Sequence, residues 1–439
     1  MKFEGWRQAN ETPSLREVHR SVPVPQTSFW RKLLAFSGPG FLVAVGYMDP
    51  GNWATDLAGG AQFGYRLLWV ILLSNFIAML LQHLCIKLGV VSNRDLAQAC
   101  RDHFSKPINF MLWVLCELAI AACDLAEVVG SAVGLQLLFG IPILWGCLIT
   151  GLDVMLVLWL QNRGFRYIEA IVVTLIVVIG GCFGLELLFA SPTLGPVMAG
   201  FMPNTETFQH PGMLMIAIGI LGATVMPHNL YLHSSIVQTR RVVQTDEGKK
   251  EAIKFATIDS TGALFFALFI NASILIIAAS VFHWSGHHQV AEIQEAYRLL
   301  SPLVGVGAAS TLFAVALLAS GQNSTLTGTL AGQIVMEGFL NIRIRPWLRR
   351  LITRSLAIVP AMVVIGIYGE AHTTDLLVWS QVILSLQLSF AVIPLVMFTS
   401  DKLKMGSFVN PFWVKFLAWS STIVIVVLNV KFLIDQLLG

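Results

Sequence analysis

Two strongly apolar stretches of the chain are each interrupted by a proline that has polar neighbours. The first interruption is the sequence DPGN at residues 49–52, and the second is ATVMPH at residues 223–228, about half a chain later. Proline breaks a helix and polar groups are costly in lipid, so each interruption is expected only where unwound chain lines a functional cavity. The pair predicts two discontinuous helices that meet at a substrate site near the bilayer midplane.

The composition is that of an integral membrane protein. Of the 439 residues, 56% are hydrophobic and only 12% are charged, and the mean hydropathy is +0.73. Apolar runs follow one another with no long polar insert between them. This pattern predicts a single transmembrane domain over residues 33–439, preceded by a mobile cytoplasmic tail over residues 1–32.

Apolar runs of about 18 to 25 residues, the length that crosses a bilayer as a helix, predict eleven spans. Their ranges are 33–65, 67–90, 108–139, 142–161, 167–190, 211–238, 255–283, 307–339, 351–369, 376–399 and 414–436. Lys and Arg are concentrated in alternate connections, which predicts a cytoplasmic N-terminus and a C-terminus on the outside.

The two interrupted spans are the first and the sixth, so each opens a set of five helices. Because five is odd, the second set would lie inverted in the membrane relative to the first. The predicted repeats cover residues 33–190 and 211–400, with an additional helix at 414–436. Inverted repeats of this kind permit alternating access around a fixed site.

The side chains at the interruptions favour a divalent cation. Asp49 offers an anionic oxygen, Asn52 offers a neutral one, and each unwound turn frees backbone carbonyls. Met226 adds a thioether, a ligand that Mg²⁺ and Ca²⁺ do not favour and transition metals tolerate. Two structural alternatives remain open, namely that Met226 is a core residue and that Asp49 caps the restarted helix.

Three acidic residues in the third predicted span are spaced by seven and three positions and therefore share one helix face. They are Glu117, Asp124 and Glu127. Together with His228, whose ring titrates near neutral pH, they predict a proton relay. The alternative is a structural ion-pair network with basic residues at the start of the ninth span. These basic residues are Arg349, Arg350 and Arg354.

Gln381 in the tenth predicted span is the best of several amides that could line the pathway, although amides between membrane helices often serve only to join them. No GxxxxGK[ST] motif is present, so we expect no direct coupling to ATP. No HExxH motif is present either, which argues against an intramembrane metalloprotease.

Three segments together resemble the signature motifs of the Nramp family, the natural resistance-associated macrophage proteins and their bacterial relatives. They are residues 49–52, residues 226–234 (MPHNLYLHS) and residues 321–339. The resemblance covers nearly the whole chain beyond the tail. It implies an all-α, leucine-transporter-like fold with 5+5 inverted repeats, and proton-coupled import of Mn²⁺, Fe²⁺ and similar ions. The short termini favour a bacterial inner membrane.

The resemblance also implies roles for individual residues. The implied metal ligands are Asp49, Asn52, Met226 and the carbonyl of Ala223, with Gly46 and Gln381 joining in some conformations. The implied proton pathway comprises His228, His233, Glu127, Asp124, Glu117, Arg349 and Arg350. The expected partners are the metal ion, protons and lipid, with no cofactor, ATP or nucleic acid and no enzymatic activity.

Other functions remain open at this stage. A magnesium transporter of a related branch would lack the methionine at position 226. A sodium-coupled transporter of small solutes could share the fold, but Asp49 would repel the carboxylate that such a site binds. A passive metal channel could use similar ligands and would differ in failing to accumulate its ion.

Overall fold

The computed structural model describes the chain except for residues 1–4, 8–11, 26–27, 153–163, 288–291, 370–372 and 439. The side chains of residues 346, 349, 350, 368 and 438 also lie outside the described part. Across the described residues every regular element is a helix, and the only β pairing there is a single bridge between Val22 and Arg240.

The helices match the eleven predicted spans and are numbered α1 to α11, with α1 and α6 each divided into two halves. Their bounds are α1a Pro39–Gly46, α1b Pro50–Phe63, α2 Leu68–Ser92, α3 Lys106–Phe139, α4 Ile143–Thr150, α5 Phe165–Ala190, α6a Pro211–Val225, α6b Pro227–Ile236, α7 Asp246–Ala278, α8 Ala309–Leu340, α9 Pro346–Tyr368, α10 Thr373–Ser400 and α11 Phe412–Leu438. The part of the predicted fourth span from residue 153 onward lies outside the described residues.

Shorter helices lie in the connections. They are Phe29–Phe36, Leu96–His103, Leu194–Gly200, Glu206–Gln209, Ile293–Val304 and Lys402–Met405, with 3₁₀ turns at Gly64–Leu67, Val237–Thr239 and Gly406–Phe408 and a π-helical end to α7 at Ala279–His283.

Burial separates central helices from peripheral ones. By length and mean hydropathy alone, six helical stretches of the described chain could cross a membrane. The stretch that contains α6 is 94% buried within the protein, whereas the corresponding window of α11 is only 28% buried. The interrupted sixth helix is therefore at the centre of the bundle, and α11 is an outer addition whose apolar side chains face the lipid.

The local sequence explains where each broken helix restarts. Pro50 and Pro227 occupy the first positions of α1b and α6b, where a missing N–H costs no hydrogen bond. Asp49 caps α1b, because its Oδ1 accepts a hydrogen bond of 2.8 Å from the backbone N–H of Asn52. Met226 joins α6a to α6b, and its carbonyl accepts a hydrogen bond of 3.1 Å from the backbone N–H of Asn229 in the first turn of α6b.

A glycine allows α3 to approach the first break closely. A Cβ atom built on Gly130 would lie 2.1 Å from the Cβ of Pro50, which is far inside van der Waals contact. The absence of a side chain at Gly130 therefore brings the helix that carries the acidic residues directly against the DPGN turn.

The N-terminal segment, which the sequence predicts to be a mobile tail, packs against the helices and their connections at several of its described residues. The Trp6 ring is 8% exposed and lies 4.8 Å from the guanidinium carbon of Arg94 and 5.2 Å from the ammonium of Lys404. Further along, Val22 pairs with the chain after α6b, where the N–H of Arg241 donates to its carbonyl over 2.9 Å. The N-terminal segment therefore contacts three connections, those between α2 and α3, between α6b and α7, and between α10 and α11.

Candidate metal-binding site at the two helix breaks

Three oxygen atoms, two from the first break and one from the second, converge on the side-chain nitrogen Nδ2 of Asn52. This nitrogen donates to Oδ1 of Asp49 over 2.7 Å, to the carbonyl of Ala223 over 3.1 Å and to the carbonyl of Gly46 over 3.2 Å. A divalent cation needs several oxygens around one point at about 2.0–2.6 Å. The oxygens are thus already grouped around a common centre, which Nδ2 of Asn52 occupies here.

Asn52 can supply a fourth oxygen. Its Oδ1 faces Asn271 of α7, whose Nδ2 lies 3.4 Å away and also donates to the carbonyl of Tyr47 over 2.7 Å. The amide of an asparagine carries its donor and its acceptor on opposite sides. A half-turn about the last side-chain bond of Asn52 would therefore place Oδ1 among the other three oxygens.

Asp49 is able to cap a helix and bind a cation at the same time. One carboxylate oxygen, Oδ1, accepts the hydrogen bonds from Asn52 described above. The other, Oδ2, is buried and has no hydrogen-bond partner among the described residues, and the whole residue is 0% exposed. A buried anionic oxygen without a partner is costly, and a cation would remove that cost.

Met226 is fully buried at the second break, three residues after Ala223. Its side chain packs with Ala119 and Cys123 of α3 and with Leu384 of α10. The residue is therefore part of the core, and it also belongs to the turn that contributes a carbonyl to the oxygen cluster. The position of Met226 is therefore compatible both with a role in core packing and with the predicted role as a metal ligand.

Gln381 reaches the first break from α10. A Cβ atom built on Gly51 would lie only 1.7 Å from Nε2 of Gln381, so the amide occupies the space beside the DPGN turn. Its Nε2 donates to the hydroxyl of Ser380 over 2.9 Å, while Oε1 is buried without a partner among the described residues. A further oxygen is thus available next to Asp49.

The potential ligands at this site are of several chemical types, so the site does not resemble a common metal-binding cluster. Among the described residues, no group of three or more His, Cys, Asp or Glu side chains is placed to hold a metal ion. The cluster combines one carboxylate with amide and carbonyl oxygens and a neighbouring thioether, and only the helix breaks point to it in the sequence.

The acidic stripe of α3 meets an arginine of α9. Nη1 of Arg354 lies 3.4 Å from Oε2 of Glu127, and both side chains are at most 2% exposed. The hydroxyl of Thr325 in α8 donates to the same carboxylate oxygen over 3.2 Å and also accepts a hydrogen bond from Arg354. Of the basic residues considered, the structure therefore pairs Arg354 with the acids. The side chains of Arg349 and Arg350 lie outside the described part.

Cys123 links His228 to Glu127. Its sulfur lies 3.8 Å from Nε2 of His228 and 3.8 Å from Oε1 of Glu127. The sequence suggested no role for this cysteine beyond packing. One helical turn in α3 places it between the imidazole of α6b and the carboxylate.

The other acids of α3 extend this group. Asp124 is buried beside Gly328 of α8, where a Cβ atom would lie 3.3 Å from its Oδ1. Glu117 is half-buried two turns earlier and accepts a hydrogen bond of 3.1 Å from the indole of Trp113. The stripe therefore runs from the buried centre of α3 to a more accessible level.

His233 lies apart from these acids. Its Nδ1 is 2.8 Å from Oε1 of Gln82 in α2, and Nε2 of Gln82 donates to the hydroxyl of Tyr47 over 2.7 Å. This chain joins α6b to the first break by way of α2. The structure thus groups His228 with the acids and groups His233 with Tyr47.

Two broken helices that meet at a buried, oxygen-lined centre define a membrane transporter with two five-helix units, each opening with a discontinuous helix. Solved structures share this fold. Mhp1, a nucleobase-cation-symport-1 family transporter, superposes with a TM-score of 0.61 at 15% identity, covering 97% of this chain and 95% of its own. At that identity the likeness concerns the fold alone.

Sequence similarity identifies the family. The model of the family described as natural resistance-associated macrophage protein-like (Nramp) matches residues 40–435. Proteins called divalent metal cation transporter MntH are 65% identical in Nostoc sp. (strain PCC 7120), over 97% of both chains, and 63% identical in Listeria monocytogenes, over 98% of this chain and 96% of the relative. The Eremococcus coleocola manganese transporter superposes with a TM-score of 0.88 at 44% identity, covering 95% of this chain and 90% of its own.

The chain therefore belongs to the Nramp family. It is a multi-pass membrane protein, and the predicted class, a transporter rather than an enzyme, is confirmed by relatives that are named as transporters.

Proposed function

We propose that the protein imports divalent transition metal ions such as Mn²⁺ and Fe²⁺ by alternating access, coupled to proton movement. The observation that carries this proposal is the convergence of the oxygens of Asp49, Ala223 and Gly46 on the amide nitrogen of Asn52. Support comes from relatives named as divalent metal cation transporters and as a manganese transporter. No cofactor or ATP is needed for this activity.

The metal would be held by ligands of graded softness. Asp49 supplies charge, while Asn52 and the two carbonyls replace water oxygens, and Gln381 is close enough to complete the shell. Met226 would add a thioether that disfavours Mg²⁺ and Ca²⁺, which are abundant competitors. This donor set favours transition metals over the magnesium alternative.

Alternating access would use the division of α1 and α6. The ligands lie at the junctions of the half-helices, so α1b and α6a can move on one side of the site while α1a and α6b move on the other. In the proposed orientation the N-terminus is cytoplasmic in the cell membrane, which places α1b and α6a outside. The two repeats and the cytoplasmic N-terminal segment are parts of the same proposal.

Protons would leave by a route separate from the metal. His228 and Cys123 lie between the second break and Glu127. Arg354 contacts the other carboxylate oxygen of Glu127. A proton and a metal ion would compete for Oδ2 of Asp49. Binding of the metal would therefore displace the proton toward His228 and Glu127. Acid outside and a negative interior would then both drive uptake.

Reconstitution in proteoliposomes that contain a pH-sensitive dye tests this function. Wild type is expected to take up Mn²⁺ in excess Mg²⁺ and to acidify the lumen, faster with acid outside. Asp49→Asn should lose both signals. Asp435→Asn, at the partly exposed Lys431 pair on α11, serves as the matched control and should behave as wild type. Uptake that survives in Asp49→Asn, or Mn²⁺ movement without acidification, would contradict the proposal.

A further inference from the structure

Asp56 is a second buried carboxylate on the helix that follows the first break. Asp49 caps α1b, and Asp56 lies seven residues, or about two turns, further along the same helix. At about 1.5 Å per residue the separation along the helix is roughly 10 Å. Asp56 is 2% exposed, and its Oδ2 has no hydrogen-bond partner among the described residues.

No protein cation compensates Asp56 within the described part of the chain. The ion pairs found there do not include it, and the negative charge of Asp49 opposes its own. Its next helical turn faces apolar groups, because Cβ atoms at Gly59 and Gly60 would meet Leu275, Ala278 and their neighbours. An acid inside a membrane domain is costly and is retained where it serves the movement of an ion.

We propose that Asp56 is an outer binding position for the transported divalent cation, occupied before the ion reaches Asp49. The proposal rests on the metal transport proposed above and extends it. Two helical turns separate the two residues by roughly 10 Å along the axis, whereas one ion needs its oxygens within about 2.6 Å. A single ion cannot bridge them, and the two acids act as successive positions along α1b.

Glu186 provides a matched control. It lies in α5, is 2% exposed, and has both carboxylate oxygens without hydrogen-bond partners among the described residues. It is as buried as Asp56 and has one more carboxylate oxygen without a partner, but it is on a different helix from Asp49. If any buried acid affected transport, both would do so.

The first test is the concentration dependence of Mn²⁺ uptake for wild type, Asp56→Asn and Glu186→Gln in proteoliposomes. Removing a charge that concentrates the ion should raise KM roughly tenfold in Asp56→Asn while Vmax stays near wild type. Glu186→Gln should change neither quantity. An unchanged KM in Asp56→Asn, or a loss of Vmax alone, overturns the proposal.

The second test measures binding without transport, by electron paramagnetic resonance of Mn²⁺ titrated into purified full-length protein. The Asp49→Ala variant should retain one weakly bound Mn²⁺, and Asp49→Ala combined with Asp56→Asn should lose it. Equal binding by the two variants overturns the proposal. A wild-type protein that does not transport Mn²⁺ would refute the proposed function, while this binding comparison would still decide the role of Asp56.

Discussion

The amide nitrogen of Asn52 lies 3.1 Å from the carbonyl oxygen of Ala223, and this contact joins the two helix breaks although 171 residues separate them in sequence. One residue belongs to α1b and the other to the last turn of α6a. Any movement of α6 against α1 must therefore change the geometry of the oxygen cluster. Binding of a cation at this point and movement of the half-helices are linked through the same atoms.

Met226 is predicted to determine selectivity. Replacing it by alanine removes the thioether and should raise the Kd for Mn²⁺ roughly tenfold, about 1.4 kcal/mol, while Mg²⁺ begins to compete. Met215→Ala, a partly buried methionine of α6a away from the break, is the control and should keep wild-type selectivity. Calorimetric titration with Mn²⁺ in the presence of excess Mg²⁺ measures both. Equal loss in the two variants would assign Met226 to packing alone.

The ion pair between Arg354 and Glu127 predicts a strong asymmetry between single and double variants. Arg354→Met removes this cation from beside a buried carboxylate and should lower the free energy of unfolding by about 3–5 kcal/mol. Adding Glu127→Gln removes that charge and should recover much of the loss. Thermal unfolding in detergent measures this coupling, and purely additive effects would show that the pair does not interact.

Gly130 is predicted to be essential because of its contact with Pro50. Gly130→Ala should displace the turn next to Asp49, at a cost of about 1–3 kcal/mol in stability, and should reduce Mn²⁺ uptake. Gly181→Ala in α5 is the control, since a Cβ atom there meets nothing within 4 Å. That variant should keep full uptake. Normal uptake by Gly130→Ala would mean that α3 and the turn are less tightly coupled than their contact indicates.

The pH dependence of stability should change when Asp95 is replaced. Asp95 caps the helix Leu96–His103 between α2 and α3, and burial raises its pKa from 3.8 to about 6 against the opposing effect of its hydrogen bonds. Well below pH 3.8 the acid is protonated in both folded and unfolded chains and costs nothing. Above pH 6 its burial as an anion costs up to about 3 kcal/mol.

Asparagine caps helices as well as aspartate does, so Asp95→Asn removes this cost without removing the cap. We expect its melting temperature to exceed that of wild type at pH 8 by a clear margin and at pH 4.5 by a much smaller one. An equal change in melting temperature at both pH values would show that burial of the ionised carboxylate does not destabilise the fold.

The sequence predicted most of the architecture because membrane helices obey simple rules. Length and hydropathy located the spans, and α2, predicted at 67–90, runs from Leu68 to Ser92. The DPGN and MPH turns located both breaks, because proline fixes where a helix restarts. The pairing of Arg354 with Glu127 was not accessible, since it depends on the rotation of α9 against α3.

Two further features needed the folded chain. The packing of Trp6 against Arg94 and Lys404 joins three distant segments, and no local periodicity predicts it. The seven-residue spacing of Asp49 and Asp56 was visible in the sequence, but the burial of Asp56 without a partner was not. Local rules identify helices, whereas partners across helices depend on their rotation and tilt.

The most direct test of the central claim is anomalous X-ray diffraction from crystals of the wild-type protein soaked in Mn²⁺. We predict that the strongest anomalous peak lies between the two breaks, within about 2.0–2.6 Å of oxygens of Asp49, Asn52 and Ala223 and beside the sulfur of Met226. A strongest peak elsewhere, with none between the breaks, would contradict the assignment of this site to the metal.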